Sequence, residues 1–414
     1  MSIISTVLFA PSYDSCAAWL LNSLTALGLQ PFILAESEPH KPIVVAVWTG
    51  SEPSMPCILL NSHYDVVPAM QEHWSVPAFE GLVREGRIYG RGTQDMKCVC
   101  AQYIVALRKM RTTGYAPRRS IVLSFVPDEE IGGGGMKLLM TSAFFRSIKI
   151  GIALDEGLAS ESDRYSVFYG ERLPWWVKIE ATGNTGHGSR FIESTAVEQL
   201  IGVVNKALDF RQDQKDQLFG KGKHAGCAHA VAKSLGDVTS LNVTMLRSGV
   251  QSNGVDVLNV IPPLAEAAMD IRISPHVAPS QIGDMISSWC QDCKLDGGVV
   301  RWKFAEEAAM QHAVTSTDPA VNPWWKVFTK VLEEDLKIGC DPSVFPAATD
   351  SRFLRAMGIR AIGFSPMRRS PILLHEHDEY IDEAVYIEGC EVFVRLLATL
   401  GSQGVFEGFP EGQF

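Results

Sequence analysis

Short runs of apolar residues, separated by polar and glycine-containing turns, recur along the first part of the chain. They cover residues 43–47, 57–60, 121–126 and 150–154. Runs that are apolar at every position are typical of strands buried on both faces of a sheet. Between the second and third runs, apolar residues recur at helical spacing and predict a helix over residues 96–110. This alternation predicts a three-layer α/β domain.

A second pattern begins near Pro174. Predicted strands and helices follow in the order β-α-β-β-α-β, at residues 175–181, 197–208, 238–246, 266–273, 282–290 and 299–304. That order is typical of a ferredoxin-like α+β unit. Helix, strand and helix patterns then return at residues 327–336, 361–364 and 383–397. The pattern therefore predicts one α/β domain in two parts, residues 1–173 and 314–414, interrupted by an α+β domain over residues 174–313.

The composition excludes several classes of protein. The 37 Lys and Arg against 47 Asp and Glu give a net charge of −10, and basic runs stay short, so nucleic acid is not an expected partner. No apolar run approaches the ~18 residues of a membrane-spanning helix, and no basic residue precedes the apolar residues 1–10 as in a signal peptide. Nine scattered cysteines in a long chain favour reduced thiols. We therefore expect a cytoplasmic globular protein that binds neither nucleic acid nor membrane.

Candidate chemistry lies where the predicted strands end and near the C-terminus. Five segments carry it: SHYD at 62–65, GRGTQDMK at 90–97, PDEE at 127–130, LDEG at 154–157 and HEHDE at 375–379. Each segment alone is most often a helix cap or a solvated turn. Ligands of an open α/β sheet bind beyond the carboxyl ends of its strands, where the strand-borne segments fall together. Two histidines with three carboxylates suit a pair of Zn²⁺ ions, and closely packed acids repel one another without such cations.

In this order and spacing, the five segments resemble the co-catalytic zinc exopeptidase family, which includes carboxypeptidase G and succinyl-diaminopimelate desuccinylase. Similar stretches, such as LLNSHYDVVP, FVPDEE, PWWVKI, GHGSRF and AATDSR, extend over most of residues 42–395. The most similar members hydrolyse N-acyl-L-amino acids. The resemblance implies a three-layer catalytic domain interrupted by a ferredoxin-like lid and dimerisation domain. It also implies two zinc ions per subunit and cleavage of an N-acyl-L-amino acid to a carboxylate and a free L-amino acid.

A set of zinc ligands follows from the same resemblance. Asp95 would bridge the two ions, with His63 and Glu156 completing one site. Glu130 and His375 would complete the other site. Of the two late histidines, only His375 fits the His-x-x-Asp-Glu spacing of the family.

The resemblance implies that Glu129 is the general base, which takes a proton from metal-bound water. Glu129 adjoins a ligand yet is free to carry that proton to the leaving amine, while paired metals polarise the amide. Asp65 would hold the imidazole of His63 in place.

The predicted α+β domain and the chain that follows it carry the remaining candidates. His187 resembles a lid histidine that reaches the active site of the partner subunit and stabilises the oxyanion, which implies a homodimer. Asn259 looks like a second polar contact to the substrate. Arg272 is similar to an arginine that binds the substrate carboxylate, a task that suits a bidentate guanidinium. Arg352 is a further candidate for substrate binding.

Alternatives stay open at the level of the sequence. His187 is otherwise a histidine in a glycine-rich turn, and Arg272 is otherwise half of a surface ion pair. The same scaffold also supports a dipeptidase or a carboxypeptidase, or a catalytically silent binding protein. Residues 220–235 and 250–258 look expanded relative to the family, and Asn253-Gly254 is predicted to form a turn.

Overall fold

The computed structural model describes residues 13–220 and 233–402. The chain divides into two compact units. The first unit falls within Met1–Gly170, Ala313–Ser343 and Thr349–Phe414, and the second within Glu171–His312 and Val344–Ala348. The sequence pattern predicts domain boundaries after residues 173 and 313. Every helix in the described part of the chain is too short or too polar to span a bilayer.

The strands are numbered in chain order. They are β1 (Phe32–Ile33), β2 (Val44–Trp48), β3 (Cys57–His63), β4 (Leu82–Arg84), β5 (Arg87–Tyr89), β6 (Ile121–Val126), β7 (Ile150–Asp155), β8 (Tyr165–Glu171), β9 (Leu173–Thr182), β10 (Gly186–His187), β11 (Ser240–Ser248), β12 (Gln251–Ser252), β13 (Val255–Asp256), β14 (Val260–Ile261), β15 (Leu264–Ile273), β16 (Val299–Phe304), β17 (Cys340–Phe345), β18 (Ala361–Gly363) and β19 (Tyr380–Asp382).

The α-helices are α1 (Asp14–Ala26), α2 (Lys97–Thr112), α3 (Gly134–Thr141), α4 (Ala143–Ser147), α5 (Ala196–Leu218), α6 (Pro279–Cys293), α7 (Pro323–Lys330), α8 (Ser351–Ala356) and α9 (Glu383–Ser402). Short 3₁₀ turns lie at Gln71–His73, Glu129–Ile131 and Leu235–Asp237, and a π-helical turn at Val331–Asp335.

An eight-stranded mixed sheet forms the centre of the first unit, in the order β1-β2-β6-β3-β7-β18-β8-β17. Its four central strands, β6, β3, β7 and β18, run parallel to one another. In the register of this sheet, His63 on β3 lies opposite Val126 on β6, and Leu60 lies opposite Leu154 on β7. The carboxyl ends of three neighbouring strands therefore meet at one edge, where an α/β sheet binds its ligands.

Both faces of this sheet are buried, which explains why its strands are apolar at every position. On β3, Ile58 and Leu60 pack into a cluster with apolar residues of α1, α2, α7 and α9. Cys57 and Leu59 point the other way, into a cluster with α3, α4 and α8. Burial of one such aliphatic side chain stabilises the fold by ~1.5–3 kcal/mol. The result is the predicted three-layer arrangement.

The second unit is built on a four-stranded antiparallel sheet in the order β11-β15-β9-β16. The helices α5 and α6 supply the other side of its core. Val177 and Ile179 of β9 share that core with Leu200 and Val203 of α5 and with Ile286 of α6. The chain order β9-α5-β11-β15-α6-β16 is the predicted ferredoxin-like order. The prediction of an α/β fold interrupted by a ferredoxin-like α+β unit is confirmed.

Local predictions differ from the structure where capping decides the boundary. The sequence predicts one helix over residues 327–336, whereas α7 begins at Pro323 and gives way to the π-helical turn after Lys330. The Asn322 side chain accepts a hydrogen bond from the Trp325 amide, and a proline fits the first helical position. The predicted turn at Asn253-Gly254 links β12 to β13, and both residues have positive φ. Residues 221–232 of the first expanded segment lie outside the described residues.

Candidate metal centre

The carboxyl edge of the parallel strands brings three of the predicted ligands together. His63 is the last residue of β3, and Glu156 directly follows β7. Glu130 lies in the short 3₁₀ turn that follows β6. The strand register fixes this neighbourhood, because β6, β3 and β7 are adjacent and parallel.

Two further ligand candidates come from segments outside the large sheet. Asp95 ends the turn that links β5 to α2, and its peptide bond to Met96 is cis. His375 precedes β19, and β19 pairs with β5 in a small three-stranded sheet. This pairing carries the C-terminal segment, more than two hundred residues away in sequence, to the turn that holds Asp95.

These five side chains form two groups that share one carboxylate. In each group, ligand atoms of all three residues lie within 4.8 Å of one another: His63, Asp95 and Glu156 in the first, and Asp95, Glu130 and His375 in the second. Oδ1 of Asp95 lies 3.0 Å from Nε2 of His63, and Oδ2 lies 3.2 Å from Nε2 of His375. Asp95 thus presents one oxygen to each group.

The remaining distances complete each group. In the first, Nε2 of His63 lies 3.5 Å from Oε2 of Glu156. In the second, Nε2 of His375 lies 3.1 Å from Oε2 of Glu130. Each group therefore combines one imidazole nitrogen with carboxylate oxygens, a donor set that suits zinc and similar divalent cations.

Asp65 holds two parts of this site. Nδ1 of His63 lies 3.4 Å from the carboxylate of Asp65 and 3.2 Å from the backbone oxygen of Asp65. Nε2 of His63 therefore faces the other ligand candidates. The same carboxylate accepts hydrogen bonds from the backbone amides of Glu129, at 3.3 Å, and Glu130, at 3.2 Å. The sequence predicts the first contact. The second is found only in the fold, because the strands that carry the two segments are neighbours in the sheet.

Glu129 is buried next to the ligand groups and belongs to neither of them. Burial, with the nearby negative charge of Glu156, raises the pKa of Glu129 well above its usual value. Burial also raises the pKa of Glu156, to which the charge of Asp95 contributes. A carboxylate that gains a proton readily, beside a candidate metal centre, has the character of a general base.

The charges of the site are arranged around Asp95. Burial opposes its ionisation, but hydrogen bonds from His375 and His63 outweigh burial and hold the pKa of Asp95 below its usual range. Its carboxylate and that of Glu130 in turn raise the pKa of His375 to about 10. In this arrangement, protons on the imidazoles balance the carboxylates at the positions where cations would sit.

The donor chemistry fits a pair of cations. Oε1 of Glu130 is buried and has no hydrogen-bond partner among the described residues. A buried carboxylate oxygen without a partner is costly, and a metal ion offsets that cost. The acids Asp95, Glu130 and Glu156 crowd one small space, where burial raises the pKa of the two glutamates.

Two acids of the predicted cluster have structural tasks instead. Asp155 accepts hydrogen bonds from Asn61, at 3.1 Å, and from Ser351, at 2.8 Å. Asp128 accepts hydrogen bonds from Lys41, at 2.5 Å, and from Tyr13, at 3.0 Å. Each precedes a candidate functional glutamate in the sequence, and its bonds fix the backbone from which that glutamate projects.

Three of the four substrate-binding candidates, His187, Asn259 and Arg272, lie in the second unit. His187 on β10 is exposed, and its Nδ1 lies 2.8 Å from the Ser189 hydroxyl. β10 pairs with β14, which Asn259 precedes, and the amide of Gly188 donates to the Asn259 carbonyl at 2.7 Å. The second unit thus brings His187 and Asn259 together.

The two arginine candidates have local partners. Arg272 on β15 donates from Nε and Nη2 to the carboxylate of Asp270, at 2.7 and 3.0 Å. Arg352 lies in α8 of the first unit, with its guanidinium 4.5 Å from the ring centre of Phe353. Their roles in substrate binding stay predictions.

One pair of residues beside the site was not predicted from the sequence. Arg91 and Glu379 form a buried ion pair of 2.9 Å between the two segments that carry Asp95 and His375. The available signals were the position of Arg91 in a glycine-rich turn and that of Glu379 four residues after the candidate ligand His375. The sequence does not show that the two face each other.

The mixed sheet, the ferredoxin-like unit and the paired histidine–carboxylate groups define a metallopeptidase-like hydrolase. The chain belongs to peptidase family M20/M25/M40, whose model matches residues 59–399. The expected membership of a metal-dependent exopeptidase family is thereby confirmed.

Two relatives within this family are similar to the chain over nearly its whole length. Aminoacylase-1 of Sus scrofa is 42% identical over 401 residues, which cover 96% of this chain and 93% of the relative. Aminoacylase-1 of Dictyostelium discoideum is 44% identical over 396 residues, which cover 94% of this chain and 93% of that relative. A solved M20 metallo-carboxypeptidase from Sulfolobus solfataricus matches with a TM-score of 0.66 at 17% identity, over 93% of this chain and 94% of that one. The last match concerns the fold alone.

Proposed function

We propose that this chain is a metal-dependent amidohydrolase that cleaves N-acyl-L-amino acids to a carboxylate and a free L-amino acid. The observation that carries the proposal is the pair of ligand groups that share Asp95. It occurs in a chain that is 42–44% identical to relatives named Aminoacylase-1 over nearly its whole length.

The proposed metal is zinc, with two ions per subunit. His63, Asp95 and Glu156 would hold one ion, and Asp95, Glu130 and His375 the other. When bound, the ions polarise the scissile carbonyl and make water more acidic. Two divalent cations add four positive charges, which offset the carboxylates of the site.

Glu129 carries the proton in the proposed reaction. Its carboxylate takes a proton from the attacking water and delivers it to the nitrogen of the leaving amine. Its buried position keeps bulk water from competing for that proton, and burial raises its pKa toward the working range of a base. Asp65 holds the backbone of Glu129 in place for this transfer, because its carboxylate accepts a hydrogen bond from the Glu129 amide.

The activity is tested with a panel of N-acyl-L-amino acids and dipeptides. We expect the metal-loaded protein to hydrolyse N-acetyl-L-methionine. A chelator should remove that activity, and added zinc should restore it. Metal content is measured on the same samples, with about two ions per subunit expected.

The same panel separates the alternatives. Metal-loaded protein that cleaves dipeptides and leaves N-acyl amino acids intact would be a dipeptidase or a carboxypeptidase on this scaffold. Metal-loaded protein that is inert toward both would be a silent binding protein. Either result would reject the proposed substrate class while leaving the metal centre in place.

We further propose a homodimer in which His187 stabilises the oxyanion at the active site of the partner subunit. The exposed position of His187 supports this role, because its side chain contributes little to the core of the second unit. Arg272 and Arg352 are proposed to bind the substrate carboxylate, and Asn259 to make a further polar contact. The eight cysteines in the described part of the chain are free thiols, which supports a cytoplasmic location.

Mixed dimers test the role of His187. Subunits with His187→Ala and subunits with Glu129→Gln should each be nearly inactive alone. In a mixed dimer, one of the two sites regains a normal Glu129 together with a normal His187 from the partner. Random pairing should therefore restore roughly a quarter of the wild-type activity, measured after co-expression. Two inactive variants that stay inactive as verified mixed dimers would contradict a histidine acting across the interface.

A further inference from the structure

We propose that Glu379 and Arg91 are positioning residues that fix Asp95 relative to His375 and so set the affinity of the second ligand group for its metal. The inference deepens the proposed function and rests on its metal centre. Neither residue belongs to a ligand group, and neither is assigned a role by the family resemblance.

Both oxygens of the Glu379 carboxylate accept hydrogen bonds from the turn that carries Asp95. Its oxygens accept hydrogen bonds from the backbone amides of Gly92, at 3.1 and 3.2 Å, Gln94, at 2.7 Å, and Asp95, at 3.3 Å. The Arg91 guanidinium donates to the same carboxylate at 2.9 Å. The side chain is completely buried. Glu379 therefore acts on the backbone of a ligand rather than on a metal.

Arg91 extends the same contact to the other ligand segment. Its Nη1 donates to the carbonyl of Glu376 at 3.0 Å, and its Nη2 to the carbonyl of His375 at 3.4 Å. Its guanidinium also lies 5.1 Å from the centre of the Trp74 ring, which limits its movement. One planar fork thus holds the backbone of His375 and the carboxylate of Glu379 together.

Further hydrogen bonds close the connection at both ends. The Gln94 side chain accepts a bond from the Leu373 amide at 3.0 Å and donates to the carbonyls of Pro371, at 3.0 Å, and Tyr380, at 2.9 Å. The amide of Gly90 donates to the Glu379 carbonyl at 2.9 Å. The segment that carries His375 is therefore attached at several positions to the turn that carries Asp95.

The two ligand groups depend on this connection to different degrees. The His63 side chain is only 1% exposed and ends a strand in the middle of the sheet. The His375 side chain is 48% exposed, lies in a loop and has a φ of 63°, a left-handed conformation that costs a non-glycine residue energy. Sheet packing fixes the first histidine, whereas hydrogen bonds from its neighbours must fix the second.

The test compares zinc affinities of the full-length protein by competition with a chelating dye. Glu379→Gln should lower the affinity for one of the two bound ions by about 10- to 100-fold. This is the usual loss of metal affinity when a hydrogen-bond partner of a metal ligand is removed. The other ion should keep most of its affinity, since His63 and Glu156, two of the three residues in its group, are held by the sheet. A residue that merely stabilised the fold would lower the melting temperature of the metal-free protein and weaken neither ion selectively.

Two variants complete the comparison. Arg91→Lys keeps the charge opposite Glu379 but loses the fork to His375 and Glu376, so it should weaken the same ion, and it decides the question if Glu379→Gln does not fold. Glu388→Gln is the matched control. Glu388 also forms an ion pair, 2.6 Å from Arg368, but neither residue belongs to a ligand group. The metal affinities of Glu388→Gln should equal those of the wild type.

Two outcomes would overturn the inference: folded variants that bind both ions as tightly as the wild type, or variants that lose both ions equally. Hydrolysis of N-acetyl-L-methionine by the wild type is measured in parallel. If the wild type does not hydrolyse this substrate but Glu379→Gln selectively loses one ion, the proposed function is rejected and the inference stands. If the wild type hydrolyses the substrate but the variants bind both ions as tightly as the wild type, the inference is rejected and the proposed function stands.

Discussion

Glu129→Gln is expected to lower kcat by about 10²- to 10⁴-fold, the usual contribution of a positioned general base, while leaving the metal content unchanged. The amide has nearly the same size as the carboxylate and accepts no proton. Glu129 lies outside both ligand groups, so its replacement removes none of the candidate metal ligands. Steady-state kinetics on N-acetyl-L-methionine and metal analysis of the same preparation check both parts of the prediction.

The neighbouring glutamate provides the matched control. Glu130→Gln changes the same side chain one residue away, but Oε2 of Glu130 lies 3.1 Å from His375 within a ligand group. It should lose metal as well as activity, and excess zinc should restore part of its turnover. If Glu129→Gln lost its metal and Glu130→Gln kept it, the roles of base and ligand would have to be exchanged.

Much of the fold could be predicted because the parallel strands leave a strong signal. β6 matches its predicted bounds, since all six of its residues are buried and the pattern has no polar interruption. β16 also matches its predicted bounds, although its residues alternate between exposed and more buried positions. The start of α7 could not be predicted from apolar spacing, because the Asn322 cap and Pro323 lie outside the amphipathic pattern. Spacing shows which residues face a core, whereas caps decide where an element begins.

The candidate site was predictable to a similar depth. The strand ends indicated Glu156 and His63 as neighbours, because parallel strands carry their carboxyl ends to one edge. The sequence could not show that Asp128 binds Lys41 and Tyr13, since those partners are brought together only by the fold. Nor could it show that Glu379 faces backbone amides. Long-range contacts therefore decide which acids of the same local pattern become candidate metal ligands and which hold neighbouring chain segments in place.

Asp95→Asn is expected to abolish metal binding at both groups and to lower kcat/KM by at least about 10³-fold. Asp95 is shared by the two groups and presents one carboxylate oxygen to each. The amide offers a single oxygen and no negative charge, so both groups lose a charged ligand at once. Zinc raises the melting temperature of a protein that binds it in the folded state, and this rise should be large in the wild type and absent in Asp95→Asn.

Glu156→Gln is the control for the shared position. Glu156 belongs to the first group alone, so this variant should keep the ion of Asp95, Glu130 and His375 and part of the zinc-dependent rise in melting temperature. The contrast separates loss of a bridging ligand from loss of any one acid in a crowded site. A full zinc-dependent rise in Asp95→Asn would mean that the two groups bind metal independently, and the shared carboxylate would then have to be assigned another role.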